Sequence, residues 1–250
     1  MILLKSPREI EHMRAAGKIL AGVKALLVRL VKPGITTKDI DVEVEAFIVS
    51  KGATSAFKGY RGYPATVCTS INEEVVHGIP SPKRRLKEGD IIGLDLGCVV
   101  EGYYGDCAVT LPVGAVPPRV QELLDVTRES LDKAIVQCRV GNRIGDISHA
   151  VQMHCESHGF GVVRSFVGHG IGRALHEEPQ VPNFGDAGRG PALKAGMVLA
   201  IEPMVTMGSW EVQVLEDGWT AVTADGSLAA HFEDTIAITD DGPDVLTRAA

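Results

Sequence analysis

The stretch GNRIGDISHAVQMHCESHG, residues 141–159, has the same pattern as GITTKDIDVEVEAFIVSKG, residues 34–52, which lies 107 residues earlier in the chain. Each copy holds a turn glycine, an aspartate near the start of a predicted helix, and a glycine that ends that helix. A longer predicted helix precedes each copy, over Pro7–Leu30 with Ser6 as its cap and over about Pro118–Val136. Elements repeated in the same order predict a duplicated α/β unit, with one site between its two halves.

The other segments of the chain have the alternating or β-branched composition of strands. The predicted strands are Ile91–Gly97, Tyr103–Leu111, Gly196–Ile201, Glu211–Leu215, Trp219–Thr223 and Ala229–Thr239. Helices that come in pairs and strands that come in runs predict an α+β fold with a mainly antiparallel sheet. We expect one catalytic domain over residues 1–250, with halves at about 1–115 and 116–250, because no low-complexity linker divides the chain.

Composition argues against several classes of protein. A formal net charge of −7 disfavours stable binding of nucleic acid, and the short basic run Pro82–Lys87 is expected to be a solvated loop. The five cysteines include no CxxC pair, which supports neither a zinc finger nor a disulfide framework and favours the reducing cytoplasm. The chain has no secretion signal and no apolar run near the roughly 20 residues of a membrane span, so we expect no membrane association.

Two aspartates lie in neighbouring predicted strands of GLDLGCVVEGYYGDCAVT, residues 93–110. Antiparallel pairing would bring Asp95 and Asp106 nearly opposite each other on one face, if a bulge shifts the register by one residue. Two close carboxylates in an apolar sheet repel each other and are costly to bury. The alternatives are a pair that shares a proton, two surface positions, or a metal cation as the counter-charge.

Two further carboxylates and a histidine occupy similar settings. Glu202 ends the strand MVLAIE, Glu233 lies in AAHFEDTIAIT, and His169 lies in VGHGIGRALHE, residues 167–177, seven residues before His176. Each carboxylate alone could equally be a strand-end or edge residue. Together, four carboxylates and one imidazole suit Mn, Fe, Co or Zn, and charge balance favours two divalent ions. The glycines around His169 are expected to let the backbone pass close to metal and substrate.

Six motifs extend this pattern over most of the chain. They are GYPATVCTSINEEVVHGIP (62–80), GDIIGLDLG (89–97), GYYGDCAVT (102–110), FVGHGIGRALHEEP (166–179), LAIEPM (199–204) and DGWTAVTADGSLAAHFEDT (217–235). In these motifs and their order the chain resembles the type I methionine aminopeptidases of the bacterial, unextended form. The resemblance implies the pita-bread fold, with two pseudo-symmetric αβ halves around a curved, mainly antiparallel sheet. It also implies removal of the initiator methionine from nascent proteins and peptides that have a small second residue.

The resemblance further implies a role for each metal ligand. Asp95 corresponds to the terminal carboxylate of one metal, and Asp106 and Glu233 correspond to the carboxylates that bridge two metals. His169 and Glu202 correspond to ligands of the second metal. A water or hydroxide between the two ions would be the nucleophile, and Glu202 would also carry its proton to the leaving amine.

Two histidines and a pocket complete what the resemblance implies. His77 corresponds to a catalytic histidine near the scissile amide, and His176 to one that donates a hydrogen bond to the carbonyl oxygen of the substrate. The residues expected to bind substrate are Tyr60, Tyr63, Cys68, His77, Leu175, His176 and Trp219. A monovalent cation could bind backbone carbonyls around Asn72. The expected partners are the N-termini of nascent chains, with transient ribosome association, and the expected state is a cytoplasmic monomer.

Three other functions would be compatible with parts of this pattern. An aminopeptidase P or a prolidase would share the five ligands but cleave next to proline, and VCTSINEEVVHGIP with Trp219 fits the methionine type better. A binding protein on the same fold would be expected to lose ligands, and all five positions here are acidic or histidine. A nucleic-acid or ribosome-binding module without chemistry is disfavoured by the acidic charge balance.

Overall fold

The computed structural model describes residues 1–249. Its helices form two pairs: α1 Pro7–Leu30 with α2 Thr37–Ser50, and α3 Pro118–Val136 with α4 Ile144–Ser157. The strands are β1 Thr54–Ser55, β2 Val67–Ile71, β3 Glu74–Val76, β4 Ile91–Val100, β5 Tyr103–Pro112, β6 Gly161–Val162, β7 Gly168–Gly170, β8 Glu177–Val181, β9 Val198–Ile201, β10 Met204–Thr206, β11 Val212–Val214, β12 Ala221–Thr223, β13 Ala229–His231, β14 Asp234–Thr239 and β15 Gly242–Val245. The bounds predicted for the first and third helices are confirmed.

Helix α1 begins where local chemistry requires it to begin. The Ser6 side chain accepts the Glu9 backbone N–H, and the Glu9 carboxylate accepts the Ser6 backbone N–H at 2.9 Å, which forms a capping box. Pro7 follows at the first helical position, where it lacks no hydrogen bond. The buried face of the helix, which includes Leu20 and Val23, packs into an apolar core with α2 and β4. Burial of each such side chain contributes about 1.5–3 kcal/mol.

The predicted internal repeat is present in the backbone. Gly34 donates its N–H to the carbonyl of Leu86, and Gly141, 107 residues later, donates to Leu193. Helices α2 and α4 have 14 residues each and end on caps with the same φ of −95° and ψ of 5°. The second pair of helices packs into its own apolar core with residues of β9 and β14. Two related halves therefore stand in one chain, and the boundary between residues 115 and 116 stays a prediction.

All strand pairings among residues 1–249 are antiparallel. One group has the order β1–β4–β2 with β5 on β4, and another has the order β15–β14–β9–β7–β8. Two smaller groups are β13–β10–β6 and β11–β12–β3. The predicted antiparallel character is confirmed, whereas the continuous strand predicted over Ala229–Thr239 is wrong, because Phe232 and Glu233 interrupt it.

The basic run and the helices are the features that bear on binding to nucleic acid and to membranes. The basic run 82–87 is a loop, as predicted, and within it Arg84 forms an ion pair with Glu74 at 2.9 Å. None of the helices in residues 1–249 combines the length and the apolar character that crossing a membrane requires.

Candidate active site

Asp95 and Asp106 reach one face of the sheet through a tight hairpin. The two turn residues, Glu101 and Gly102, have positive φ of 51° and 78°, which is typical of two-residue hairpin turns. This turn places Asp106 opposite Gly97, two positions along β4 from Asp95, so both aspartates point to the same side. The predicted one-residue bulge is absent from this pairing, and the aspartates are diagonal neighbours instead of a directly opposed pair.

A seam joins β5 to the chain around Glu233. Alternate residues pair across it: Asp106 with Thr235, Ala108 with Glu233, and Thr110 with His231. Ala108 and Glu233 exchange two backbone hydrogen bonds of 3.2 and 3.0 Å. At both ends of the seam a threonine hydroxyl accepts the partner's N–H and donates to its carbonyl, which replaces the backbone bonds of a regular ladder. The seam places the Asp106 and Glu233 side chains beside each other.

His169 and Glu202 approach the same point from neighbouring strands. His169 in β7 lies opposite Ala200 in β9, and Glu202 directly follows that strand. The Nε2 atom of His169 is 3.8 Å from Oδ2 of Asp106 and 3.6 Å from Oε1 of Glu202. One ligand atom each from Asp106, His169 and Glu233 lie within 4.8 Å of one another. These separations suit side chains arranged around one ion.

Several polar atoms at this point have no hydrogen-bond partner. Oδ1 of Asp95, Oδ1 of Asp106 and Oε1 of Glu233 are buried and unpaired within the described chain. A buried oxygen without a partner costs free energy, and a buried carboxylate costs more. Asp106 is 4% exposed, so a surface position is wrong for it. Hard oxygen donors with one imidazole fit a divalent first-row ion, and the residues present therefore fit a metal site.

Burial and mutual repulsion shift the pKa values of these groups. Burial raises the pKa of Asp95 to about 7. Burial, followed by the charge of neighbouring carboxylates, raises the pKa of Asp106, Glu202 and Glu233 well above the usual range. Burial and then the nearby His176 ring lower the pKa of His169 to about 4, which keeps that imidazole neutral. A divalent cation would reverse the carboxylate shifts by supplying the missing positive charge.

We expect the metal-free protein to lose stability as the pH rises from about 6.5 to 8. The unfolded chain releases carboxyl protons near pH 4, whereas the folded protein keeps them up to the raised pKa values. The stabilisation by these carboxyl groups is therefore full below about pH 4 and is lost as the pH rises through the folded pKa values. Histidines with lowered pKa act in the opposite direction, but only below about pH 6.5.

Thermal melts in EDTA across this window measure the slope, which reaches about 1.4 kcal/mol per pH unit for each titrating group. Saturating Mn²⁺ should flatten the slope, since it binds the deprotonated carboxylates. Asp106→Asn should reduce the slope in EDTA by the share of one group, whereas Asp186→Asn, at an exposed position, should leave it unchanged. A melting temperature that rises with pH in the wild type would contradict the burial of these carboxyl groups.

A cavity of about 180 Å³ opens beside the carboxylates. Its lining includes every residue that the sequence predicted for the site: Tyr60, Tyr63, Cys68, His77, Asp95, Asp106, His169, Leu175, His176, Glu202, Trp219 and Glu233. Phe57 and Arg61 line it as well. Predicted metal ligands and predicted pocket residues therefore face one common space.

Aromatic rings form much of the cavity wall. Tyr63 meets Trp219 edge to face at 5.1 Å, and the Tyr63 hydroxyl donates to the carbonyl of Gly78 at 2.9 Å. His77 lies 6.2 Å from the Trp219 ring and has a positive φ of 63°, which is uncommon for a residue other than glycine. Such a conformation persists only where the surrounding structure holds it, and it is common at functional sites.

His176 is held by a hydrogen bond from the opposite wall. The hydroxyl of Tyr60 lies 2.9 Å from Nδ1 of His176. Burial, and then the charge of Arg61, lower the pKa of His176. A neutral imidazole that accepts at Nδ1 carries its proton on Nε2. With the Tyr60 hydroxyl as the donor, the ring would present its N–H at Nε2.

The turn that carries His176 is anchored by a buried ion pair. Glu177 accepts from Lys5 Nζ at 2.6 Å and from the Arg173 backbone N–H at 2.8 Å. The glycines of this segment admit neighbouring protein atoms. A Cβ at Gly168 would lie 2.5 Å from the Ala200 carbonyl oxygen, and one at Gly172 would lie closer still to the Lys5 side chain. Their predicted approach to metal and substrate stays a prediction.

One buried histidine was missed by the sequence reasoning. His231 is 3% exposed, and its Nε2 atom lies 3.7 Å from Oε2 of Glu202. Its position two residues before Glu233 could have indicated it, because alternate residues of an extended chain share a face.

Known proteins match this chain over its full length. Residues 11–240 match the model of metallopeptidase family M24. A methionine aminopeptidase of Clostridium acetobutylicum is 53% identical over 247 residues, which cover 99% of each chain. Methionine aminopeptidase 1 of Bacillus subtilis is 52% identical, over 99% of this chain and 100% of that one. The crystal structure of a Thermotoga maritima methionine aminopeptidase matches with a TM-score of 0.98 and 51% identity, over 100% of both chains.

Proposed function

Because the chain belongs to metallopeptidase family M24, among its methionine aminopeptidases, we propose that its cavity releases N-terminal methionine from chains whose second residue is small. The pita-bread fold and the hydrolase class are those of the family, and both predictions are confirmed. One observation carries the proposal: unpaired buried carboxylate oxygens open into a cavity with aromatic walls. The first feature suits divalent metal, and the second suits an unbranched thioether side chain.

The proposed ligands are Asp95, Asp106, His169, Glu202 and Glu233. Four carboxylates balance two divalent ions, of cobalt, manganese, iron or zinc, and Asp106 with Glu233 would be shared between them. When bound, such ions lower the pKa of water and polarise a carbonyl oxygen. A monovalent cation could also bind backbone carbonyls near Asn72. The carbonyl of Asn72 itself accepts a hydrogen bond from the Ala229 backbone N–H.

Three side chains would act on the peptide bond. Glu202 takes a proton from the attacking water and delivers it to the nitrogen of the leaving amine. His176 donates from Nε2 to the carbonyl oxygen, where negative charge develops as the carbonyl carbon becomes tetrahedral. His77, held between the rings of Trp219 and Phe166, would lie beside the scissile amide. A bulky second residue of the substrate would clash with the His77 ring. This clash would account for the proposed preference for a small second residue.

The methionine side chain would occupy the pocket between Tyr63, Cys68, Leu175 and Trp219. Sulfur against aromatic rings is favourable, and a straight side chain fits where a branched one would clash. The deciding assay compares the metal-loaded protein on Met-Ala-Ser, Leu-Ala-Ser, Met-Leu-Ser and Ala-Pro. We expect release of methionine from the first at a rate on the order of 10²-fold above the others. Faster release of alanine from Ala-Pro would indicate a proline-specific enzyme, and no hydrolysis with any of the four metals would favour a binding protein.

We also propose that the natural substrates are nascent chains and that the enzyme is a cytoplasmic monomer that meets the ribosome transiently. Arg84 of the basic run is already paired with Glu74, and Arg85 donates to the Gly34 carbonyl. Because the net charge of the chain is −7, we expect only weak, short-lived electrostatic binding to the phosphate backbone of ribosomal RNA. Sedimentation of the protein with ribosomes at rising salt concentration tests this, and stable binding at high salt would contradict it.

A further inference from the structure

His231 is a rigidly placed histidine with an unused nitrogen. The Thr110 hydroxyl binds both its backbone N–H and its carbonyl, each at 2.8 Å, which fixes the residue at the end of β13. Its side chain is buried, and Nε2 has no hydrogen-bond partner among residues 1–249. A buried polar nitrogen without a partner is costly, so its retention requires an explanation.

The carboxylate of Glu202 lies close to this nitrogen. Oε2 of Glu202 lies 3.7 Å from Nε2 of His231, and Oε1 lies 3.6 Å from Nε2 of His169. The carboxylate therefore lies between two imidazoles, with one oxygen toward each. A separation of 3.7 Å is slightly beyond hydrogen-bond range, and contacts of this kind commonly shorten when a catalytic site is loaded. A small rotation of the Glu202 side chain would close the gap.

We propose that His231 is a positioning residue that donates Nε2–H to Oε2 of Glu202 when the site holds its divalent ions. The inference rests on the proposed function, because it assigns Glu202 to the metal and to proton transfer. The bond would leave Oε1 directed toward His169 and the other ligands. It would also give the unpaired nitrogen of His231 a hydrogen-bond partner. His231 itself lies outside the group of Asp106, His169 and Glu233 whose ligand atoms are mutually close.

A hydrogen-bond partner of this kind fixes the orientation of a metal-binding side chain. A carboxylate whose second oxygen is hydrogen-bonded loses less conformational entropy when it binds a cation, and it stays aligned for proton transfer. Loss of such outer partners typically costs 10- to 100-fold in metal affinity or activity. The side chain of glutamine can place an N–H near the position of Nε2, whereas methionine has the same length and no donor. The two substitutions therefore separate hydrogen-bond donation from packing.

The test compares His231→Gln, His231→Met and the surface control His158→Met. Titration calorimetry with Mn²⁺ on metal-free protein should show a dissociation constant 10- to 100-fold higher for His231→Met. His231→Gln and His158→Met should stay within about threefold of wild type, well below the 10-fold loss expected of a missing outer partner. Wild-type affinity in His231→Met would overturn the proposal. Equal losses in His231→Gln and His231→Met would also overturn it, because packing alone would then explain the residue.

A second measurement uses only the wild-type protein, so it does not depend on whether the His231 variants fold. Proton–nitrogen correlation spectra of the Zn²⁺-loaded wild type report which ring nitrogen of each histidine carries the proton. The proposal requires the proton of His231 on Nε2, and a proton on Nδ1 alone would overturn it. If the wild type binds no divalent ion and releases no methionine, the proposed function itself fails. If the wild type does both and His231→Met is unchanged, only the role of His231 fails.

Discussion

Asp106→Asn should leave a folded protein that binds divalent ions weakly and hardly releases methionine. Asp106 is central to the site, because its carboxylate neighbours His169 and its backbone joins Thr235 across the seam. An amide is a poorer ligand than a carboxylate, and it removes one of the four negative charges that balance the ions. Loss of a hydrogen-bond partner of a metal ligand already lowers metal affinity or activity 10- to 100-fold. For loss of a ligand itself we therefore expect Mn²⁺ affinity and kcat/KM on Met-Ala-Ser to fall by more than about 10²-fold.

The same substitution should stabilise the protein in EDTA. Without a cation, the four buried carboxyl groups must either hold protons that the unfolded chain would release or repel one another as anions, and the amide removes this cost at one position. A gain of about 1 kcal/mol would raise the melting temperature by roughly 2–4 °C in a chain of this size. Asp186→Asn, at an exposed position, is the matched control and should change neither property. Stoichiometric tight Mn²⁺ binding by Asp106→Asn would show that the ligand set is wrong.

Local chemistry explains what the sequence could predict. The bounds of α1 follow from a serine cap, a proline at the first helical position, and the Pro33-Gly34 pair beyond its end. The repeat predicted two helix pairs, because equal spacing of turn glycines and cap aspartates encodes equal short-range structure. The metal ligands could be suspected as carboxylates surrounded by apolar residues, since such positions need a counter-charge.

Long-range pairing explains what could not be predicted. The interruption at Phe232 and Glu233 arises because Glu233 pairs with Ala108, 125 positions away, and nothing near residue 233 marks that partner. The register of Asp95 and Asp106 depended on one turn type, and the predicted bulge was wrong because Glu101 and Gly102 form the shortest hairpin turn. The sequence does not show that His231 lies near Glu202, because the Glu202 carboxylate, 3.7 Å from Nε2 of His231, follows another strand.

His176→Ala should lower kcat on Met-Ala-Ser by on the order of 10²-fold and leave the metal content unchanged. A Tyr60 hydroxyl that donates to Nδ1, 2.9 Å away, would select the tautomer that carries its proton on Nε2. A donor that acts on the developing oxyanion contributes in the transition state and little in the bound substrate, so KM should change far less than kcat. Tyr60→Phe keeps the His176 imidazole but removes the hydroxyl that would fix its tautomer. The kcat of this variant should lie between the kcat of the wild type and the kcat of His176→Ala.

Metal content decides between the two roles that the geometry leaves to this ring. The His176 ring lies 4.3 Å from the ring of His169, close enough that a rotation could bring a nitrogen to an ion. A ligand would show itself by loss of Mn²⁺ from His176→Ala on dialysis, together with a loss of activity that added Mn²⁺ restores in part. A hydrogen-bond donor would show full metal content, and no excess of metal would restore kcat. His158→Ala, which removes an exposed imidazole, should match wild type in both measurements and so exclude a general effect of losing a histidine.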